Sequence, residues 1–123
     1  MKIEKFEDLD IWKKSIELYV DVYKTIENSG LKNDFSAKDQ LKRATLSISN
    51  NIAEGFEYEN NLQFVRYLRY SKGSAGEIRS MITAFEMTKQ ISKDQHDKLI
   101  EKTVEISKNI KGFMKYLANS KKQ

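Results

Sequence analysis

The stretch Gln40-Leu-Lys-Arg-Ala-Thr-Leu-Ser-Ile-Ser-Asn-Asn-Ile-Ala-Glu-Gly55 carries two patterns at once. Leu41, Ala44, Ile48 and Ile52 recur at spacings of three and four, which gathers them on one face of a helix. Leu46, Ala53 and Phe56 broaden that apolar stripe. Beside it, Arg43, Ser47, Asn51 and Glu54 step by four, four and three, so they share a second face. Polar side chains next to the Ile48 and Ile52 face cannot all reach far into solvent, and buried polar groups need partners. The reading is an internal hydrogen-bond network that fixes register between helices. This helix spans about 37–57. Ser36 and Asp39 sit at the spacing of a capping box at its start.

Three more helices follow outward from this one. The first spans about 8–28, with Leu9, Trp12, Ile16, Tyr19, Tyr23 and Ile26 on one face and Ile11, Leu18 and Val22 on a second. Asp8 and Asp10 suit its positive end, and Gly30 is placed to close it in a left-handed cap. The third spans about 61–89, with Phe64, Val65, Leu68, Ala75, Ile78, Ile82 and Phe85 as its apolar set. The fourth spans about 93–118, opened by Ser92 and Gln95 at capping-box spacing. There Leu99, Thr103, Ile106, Ile110, Phe113 and Leu117 form a heptad-like seam. Short connections make sequential helices antiparallel, so residues 1–123 are expected to form one all-α, up-down antiparallel four-helix bundle.

Composition agrees and excludes a good deal. The chain has 123 residues, 39% hydrophobic, with no proline and five glycines, which argues against a many-turned β fold. With no cysteine, it has no disulfide framework, thiol nucleophile or thiolate metal site. One histidine, His96, leaves no imidazole cluster for a metal. No apolar run is long enough to span a membrane and the N-terminal residues lack a signal-like apolar region, so a cytoplasmic location is expected. Glu54 and Glu77 offer a carboxylate pair, but no Glu-x-x-His motif accompanies them as in di-metal bundles. The sequence therefore supplies no catalytic, metal or cofactor-binding residue, and a non-enzymatic role is expected.

Residues 70–77, Tyr-Ser-Lys-Gly-Ser-Ala-Gly-Glu, place Gly73 and Gly76 inside the third helix, each costing up to about 1 kcal/mol relative to alanine. Such a run is expected to let a neighbouring backbone approach closely. Ser74 and Glu77 would then join the polar row of helix two, with Arg43 as the ion partner of Glu77. A phosphate loop is a poor match, since Gly-Ser-Ala-Gly has neither the lysine nor the preceding strand.

Charge is unevenly divided. Residues 1–59 carry 9 basic and 12 acidic side chains, whereas residues 60–123 carry 13 and 6. In the third helix Arg66, Arg69, Lys72 and Arg79 are interleaved with Tyr67 and Tyr70, a pairing suited to phosphate contact and base stacking. These four cations are the candidate nucleic-acid-binding residues. Lys121 and Lys122, in an expected frayed tail, make a matched control. The alternative is a solvated or subunit-facing surface on an assembly module whose partner is another protein.

The pieces Phe6-Glu-Asp-Leu-Asp-Ile-Trp12, Gln40 to Gly55 and Phe64 to Glu77 resemble a bacterial family, the four-helix-bundle proteins associated with intervening sequences in 23S ribosomal RNA genes. The Ser-Ile-x-x-Asn-Ile-Ala-Glu-Gly pattern ending at Gly55 is the most specific part. The chain is also similar to the accessory protein of diversity-generating retroelements, which works with a reverse transcriptase and its RNA. The resemblance implies a homo-oligomer, a five-membered ring, and partners drawn from RNA or a reverse-transcriptase ribonucleoprotein. The second apolar stripe of the first helix either needs a partner outside the protomer, which agrees with self-assembly, or widens the core face. The proline that the family often carries before helix two is absent here.

Overall fold

The computed structural model describes residues 3–120, so Lys121 and Lys122 lie outside the described residues. It contains four α-helices, α1 (Asp10–Glu27), α2 (Phe35–Glu57), α3 (Asn61–Met87) and α4 (Lys93–Ala118), and no strand among those residues. Short 3-10 turns at Phe6–Asp8 and Gly30–Asn33 precede α1 and α2. Each helix packs on its neighbours in sequence, α1 also closes against α4, and the diagonal pairs stay apart. The result is an up-down four-helix bundle, as the short connections require.

Both ends are tied by hydrogen bonds between non-sequential segments. At one end the Gly30 amide donates to the Gln90 carbonyl at 2.9 Å, and the Gln90 side-chain amide donates to Asp34 at 2.7 Å. There too, the Gln95 side chain donates to the Asn28 carbonyl at 3.1 Å. At the other end the Asn61 side chain donates to the Leu117 carbonyl at 3.3 Å.

The core is one continuous cluster. Leu18, Val22 and Ile26 of α1 meet Leu41, Ile48 and Ile52 of α2, Leu68, Ile78 and Ile82 of α3, and Ile110 of α4, all fully buried. Leu31, also fully buried, plugs one end from the 3-10 turn. Each such side chain contributes about 1.5–3 kcal/mol through burial. The hydroxyls inside return to helix carbonyls, as Thr45 does to Leu41 and Thr103 to Leu99. No buried side-chain polar atom among the described residues is left unpartnered.

Several local expectations change. In α1 the buried face is Ile11, Ser15, Leu18, Val22 and Ile26, while Trp12, Ile16 and Tyr19 are half-buried and Tyr23 is exposed. The stripe with the larger aromatic residues thus lies on the flank, and the smaller aliphatic one fills the bundle. Asp34 caps α2 by accepting from the Ala37 amide at 3.1 Å, so Ser36 and Asp39 fall inside the first turns rather than forming a capping box. The box at Ser92 and Gln95 forms with both bonds present. Gly30 has no positive φ and begins the 3-10 turn; Asn28 ends α1 instead. Left-handed residues do terminate α2 and α3, but they are Glu59 (φ 53) and Lys89 (φ 63).

Candidate nucleic-acid interface

The sequence singled out the contact between α2 and α3, and its geometry is now specific. Gly55 is the close-approach glycine: a Cβ built on it would stand 2.8 Å from the Tyr67 Cβ and 3.0 Å from a Phe64 ring carbon. Further along, the Ser71 hydroxyl donates to the Ile48 carbonyl at 2.9 Å, inside the core. Ser74 and Ser47 bond hydroxyl to hydroxyl at 2.9 Å, and Asn51 donates to the Ser47 hydroxyl at 3.0 Å. The polar row therefore converges at Ser47, Asn51 and Ser74. It does not bring in the charged members. Arg43 is exposed and donates to Asp39 at 2.9 Å on its own helix, and Glu77 is exposed on the outward side of α3. The reason is reach: the small polar residues sit at the seam, whereas Arg43 and Glu77 flank it on the solvent side.

Gly73 and Gly76 also differ from expectation. Nothing lies within 4 Å of a Cβ at either position, and both glycines are exposed. Ser71 and Ala75 make the tight helix contact, both fully buried. The two glycines belong to the outward face with Arg66, Arg69 and Ser80, all of them exposed.

The four candidate cations divide between two sides of α3. Arg66 donates through Nε to the Tyr70 hydroxyl at 3.1 Å, a bond that raises its already high pKa. Lys72 leans toward α4 and donates to the Ser107 hydroxyl at 3.3 Å. Arg69 and Arg79 make no side-chain hydrogen bond or ion pair with any described residue. Their guanidinium donors are thus free for an external oxyanion, which a planar guanidinium binds in a two-pronged fashion.

Beside Arg66 stands an aromatic group that the sequence showed only in part. Tyr58, at the end of α2, stacks on Tyr67 with centroids 5.2 Å apart and planes at 18°. Tyr70 meets Tyr67 edge-on at 5.6 Å. The Tyr58 and Tyr67 hydroxyls bond at 3.2 Å. That bond, the partial burial of the ring and the nearby Glu54 carboxylate push the Tyr67 pKa up to about 12. Tyr58 and Tyr70 keep about half their surface exposed, at 52% and 46%. Tyr58 escaped the sequence reading because it lies beyond α2, and only the packing of the hairpin places it on the α3 face. Glu54 shares this corner beside Tyr67, whereas Glu77 lies ten positions further along α3.

No group of three or more His, Asp or Glu residues among those described could hold a metal ion. No helix is long and apolar enough to cross a membrane. The arrangement offers exposed cations, two partly exposed tyrosine rings and a notch between α3 and α4 lined by Gly76, Arg79, Ser80, Thr83, His96 and Ile100.

The pattern of the 23S rRNA-intervening sequence protein family matches residues 7–112. Among solved structures, the chain is similar to a protein of unknown function from the S23 ribosomal protein family of Bacteroides thetaiotaomicron. Identity is 24% and the TM-score 0.76, over 85% of this chain and 98% of that one. At that identity the likeness establishes a common fold. No curated protein matches the chain.

Proposed function

The chain belongs to the 23S rRNA-intervening sequence protein family, and from that premise we propose that it is a non-enzymatic, self-assembling cytoplasmic bundle that associates with RNA or a ribonucleoprotein. The contact runs through basic residues of α3 and α4. The observation that carries this reading is the pair of unpartnered guanidinium groups, Arg69 and Arg79, on a helix that also exposes Tyr70. Backbone phosphates are held by such cations, and unstacked bases lie on such rings. The charge division supports it, since residues 60–123 carry the basic excess while residues 1–59 are net acidic.

Self-assembly supports the reading in a second way. The α1 flank of Trp12, Ile16, Tyr19, Val20 and Tyr23 leaves apolar surface outside the core, with Val20 43% and Tyr23 47% exposed. A cyclic homo-oligomer, a pentamer as the resemblance implies, would cover it. It would also repeat the α3 surface once per subunit, so one RNA strand could engage several weak sites with raised avidity.

The experiment is fluorescence anisotropy with a labelled single-stranded RNA across a salt series. Wild-type affinity is expected to fall steeply with salt, by about 0.7 log unit per log unit of salt for each phosphate neutralised. Replacing Arg69 and Lys72 together with glutamate is expected to abolish binding and leave helicity and assembly intact. The same reversal at Lys121 and Lys122 should cost much less. Equal losses in both double variants would mean diffuse charge attraction with no site. No binding by the wild type near physiological salt would favour an assembly module with a protein partner.

A further inference from the structure

We infer that the notch between α3 and α4 at Arg79 is a seat for one phosphate group of an RNA strand. The inference rests on the RNA reading and assigns to it a particular position, one that draws on both helices. Arg79, Ser80 and Thr83 line the notch from α3, and His96 and Ile100 line it from α4. Two of them are donors that suit an oxyanion, the Arg79 guanidinium fork and the Ser80 hydroxyl, and the others form the walls.

The donors are available. The Arg79 side chain has no partner among the described residues, and Ser80 has none for its hydroxyl. Thr83 spends its one hydroxyl proton on the Arg79 carbonyl at 2.8 Å and so lines the notch without donating into it. His96 Nδ1 lies 2.8 Å from an Asp97 carboxylate oxygen, which fixes the ring as the α4 wall of the notch. Its side chain is only 21% exposed, which limits its wandering.

The acids beside the notch are already engaged. Asp97 is bonded by His96 and by Lys93, which together hold its carboxyl below the usual range. Asp94 pairs with Lys98 at 3.3 Å. An incoming anion therefore meets a guanidinium free of any ion pair and carboxylates that are partly neutralised.

Gly76 supplies a separate observation. It costs helix stability, and nothing in the protomer requires it, since its Cβ direction is open. It lines the notch. A side chain at this position would fill the seat without disturbing the bundle. Removing the ligand's space and removing its charge partner can thus be tested at different residues.

The test measures the affinity of labelled oligouridine for the full chain and for Arg79→Gln and Gly76→Leu, across a salt series, with melting temperatures for each. Arg79→Gln is expected to weaken binding about tenfold, the usual worth of one charge-assisted contact, and to flatten the log–log salt slope by about 0.7. Gly76→Leu is expected to weaken binding comparably while melting no lower than wild type. If both variants bind like wild type while the Arg69 and Lys72 reversal still abolishes binding, the notch is not a seat and the RNA reading stands. If wild type does not bind oligouridine at all, both fall. A second arm titrates inorganic phosphate alone. Arg79-dependent binding of free phosphate, with RNA affinity insensitive to Arg79, would overturn the assignment to a strand phosphate.

Discussion

Replacing Gly55 with alanine adds a single carbon, and the geometry around it decides the outcome. That carbon would sit 2.8 Å from the Tyr67 Cβ, where carbon atoms prefer about 3.5–4.0 Å. The obstructing atom is the stem of a side chain, so relief requires the α3 backbone to move, and Phe64 at 3.0 Å blocks the adjacent direction. Overpacking of this kind costs about 1–3 kcal/mol. Against it stands the gain of alanine over glycine in a helix interior, about 0.5–1 kcal/mol. The difference is a net loss of about 1–2 kcal/mol, or about 3–8 °C in melting temperature for a chain of this size. Gly73→Ala and Gly76→Ala receive the same gain with nothing to strike, so each is expected to melt a few degrees higher. Thermal unfolding followed at 222 nm, at one protein concentration because assembly would shift the midpoint, measures all three. If Gly55→Ala melts as high as the other two, the close α2–α3 approach at this glycine is wrong.

Tyr58→Phe removes the hydrogen bond that contributes most to the raised Tyr67 pKa. Ultraviolet titration should show a tyrosine ionising near pH 12 in wild type and earlier in the variant; identical profiles would contradict the stacked pair. Because the folded value is raised, the contribution of Tyr67 to stability is complete below about pH 10 and is lost as pH rises toward 12. Asp34 behaves in the opposite sense, its carboxyl lowered by the Ala37 amide and then by the Gln90 side chain. Its contribution is present above the ordinary aspartate range and lost as pH falls below it, so Asp34→Ala should melt lower at neutral pH and differ less from wild type in acid. Val20→Glu combined with Tyr23→Glu places charge on the α1 flank. Light scattering should report a smaller species of unchanged helicity, and a wild-type monomer at micromolar concentration would refute self-assembly through this flank.

The fold was legible because spacing and end signals agreed. The heptad-like seam of α4 and the stripe of α2 are buried as their periods require, and Ser92 with Gln95 marks a helix start that forms both its bonds. The face of α1 was harder to choose. Two apolar stripes compete there, and periodicity does not say that the aliphatic one fits a bundle interior while the aromatic one is too large. The glycines were misjudged for a related reason. A helix-interior glycine signals close approach only if it faces a neighbour, and Gly73 and Gly76 share the outward face with Arg66 and Arg69. Gly55 faces Tyr67, a fact that depends on the angle between α2 and α3.

Legibility of the candidate interface follows the same division. The cations of α3 could be read along one helix, as could the small polar seam residues Ser47 and Asn51. What joins across helices could not. Tyr58 reaches the α3 face only once the hairpin folds, and His96 lines the same notch as Arg79 only because α4 runs antiparallel beside α3. The expected Arg43–Glu77 pair failed because a nearer carboxylate, Asp39, lies one turn away on the same helix.

The most direct measurement of the central claim is photo-crosslinking of the wild-type protein to thiouridine-substituted RNA, with the adducts located by peptide mass spectrometry. The account predicts adducts on α3, at Tyr70 and its flanking residues, and on the facing surface of α4, with α1 and the start of α2 left unmodified. Adducts confined to residues 1–50, or spread evenly along the chain, would contradict it.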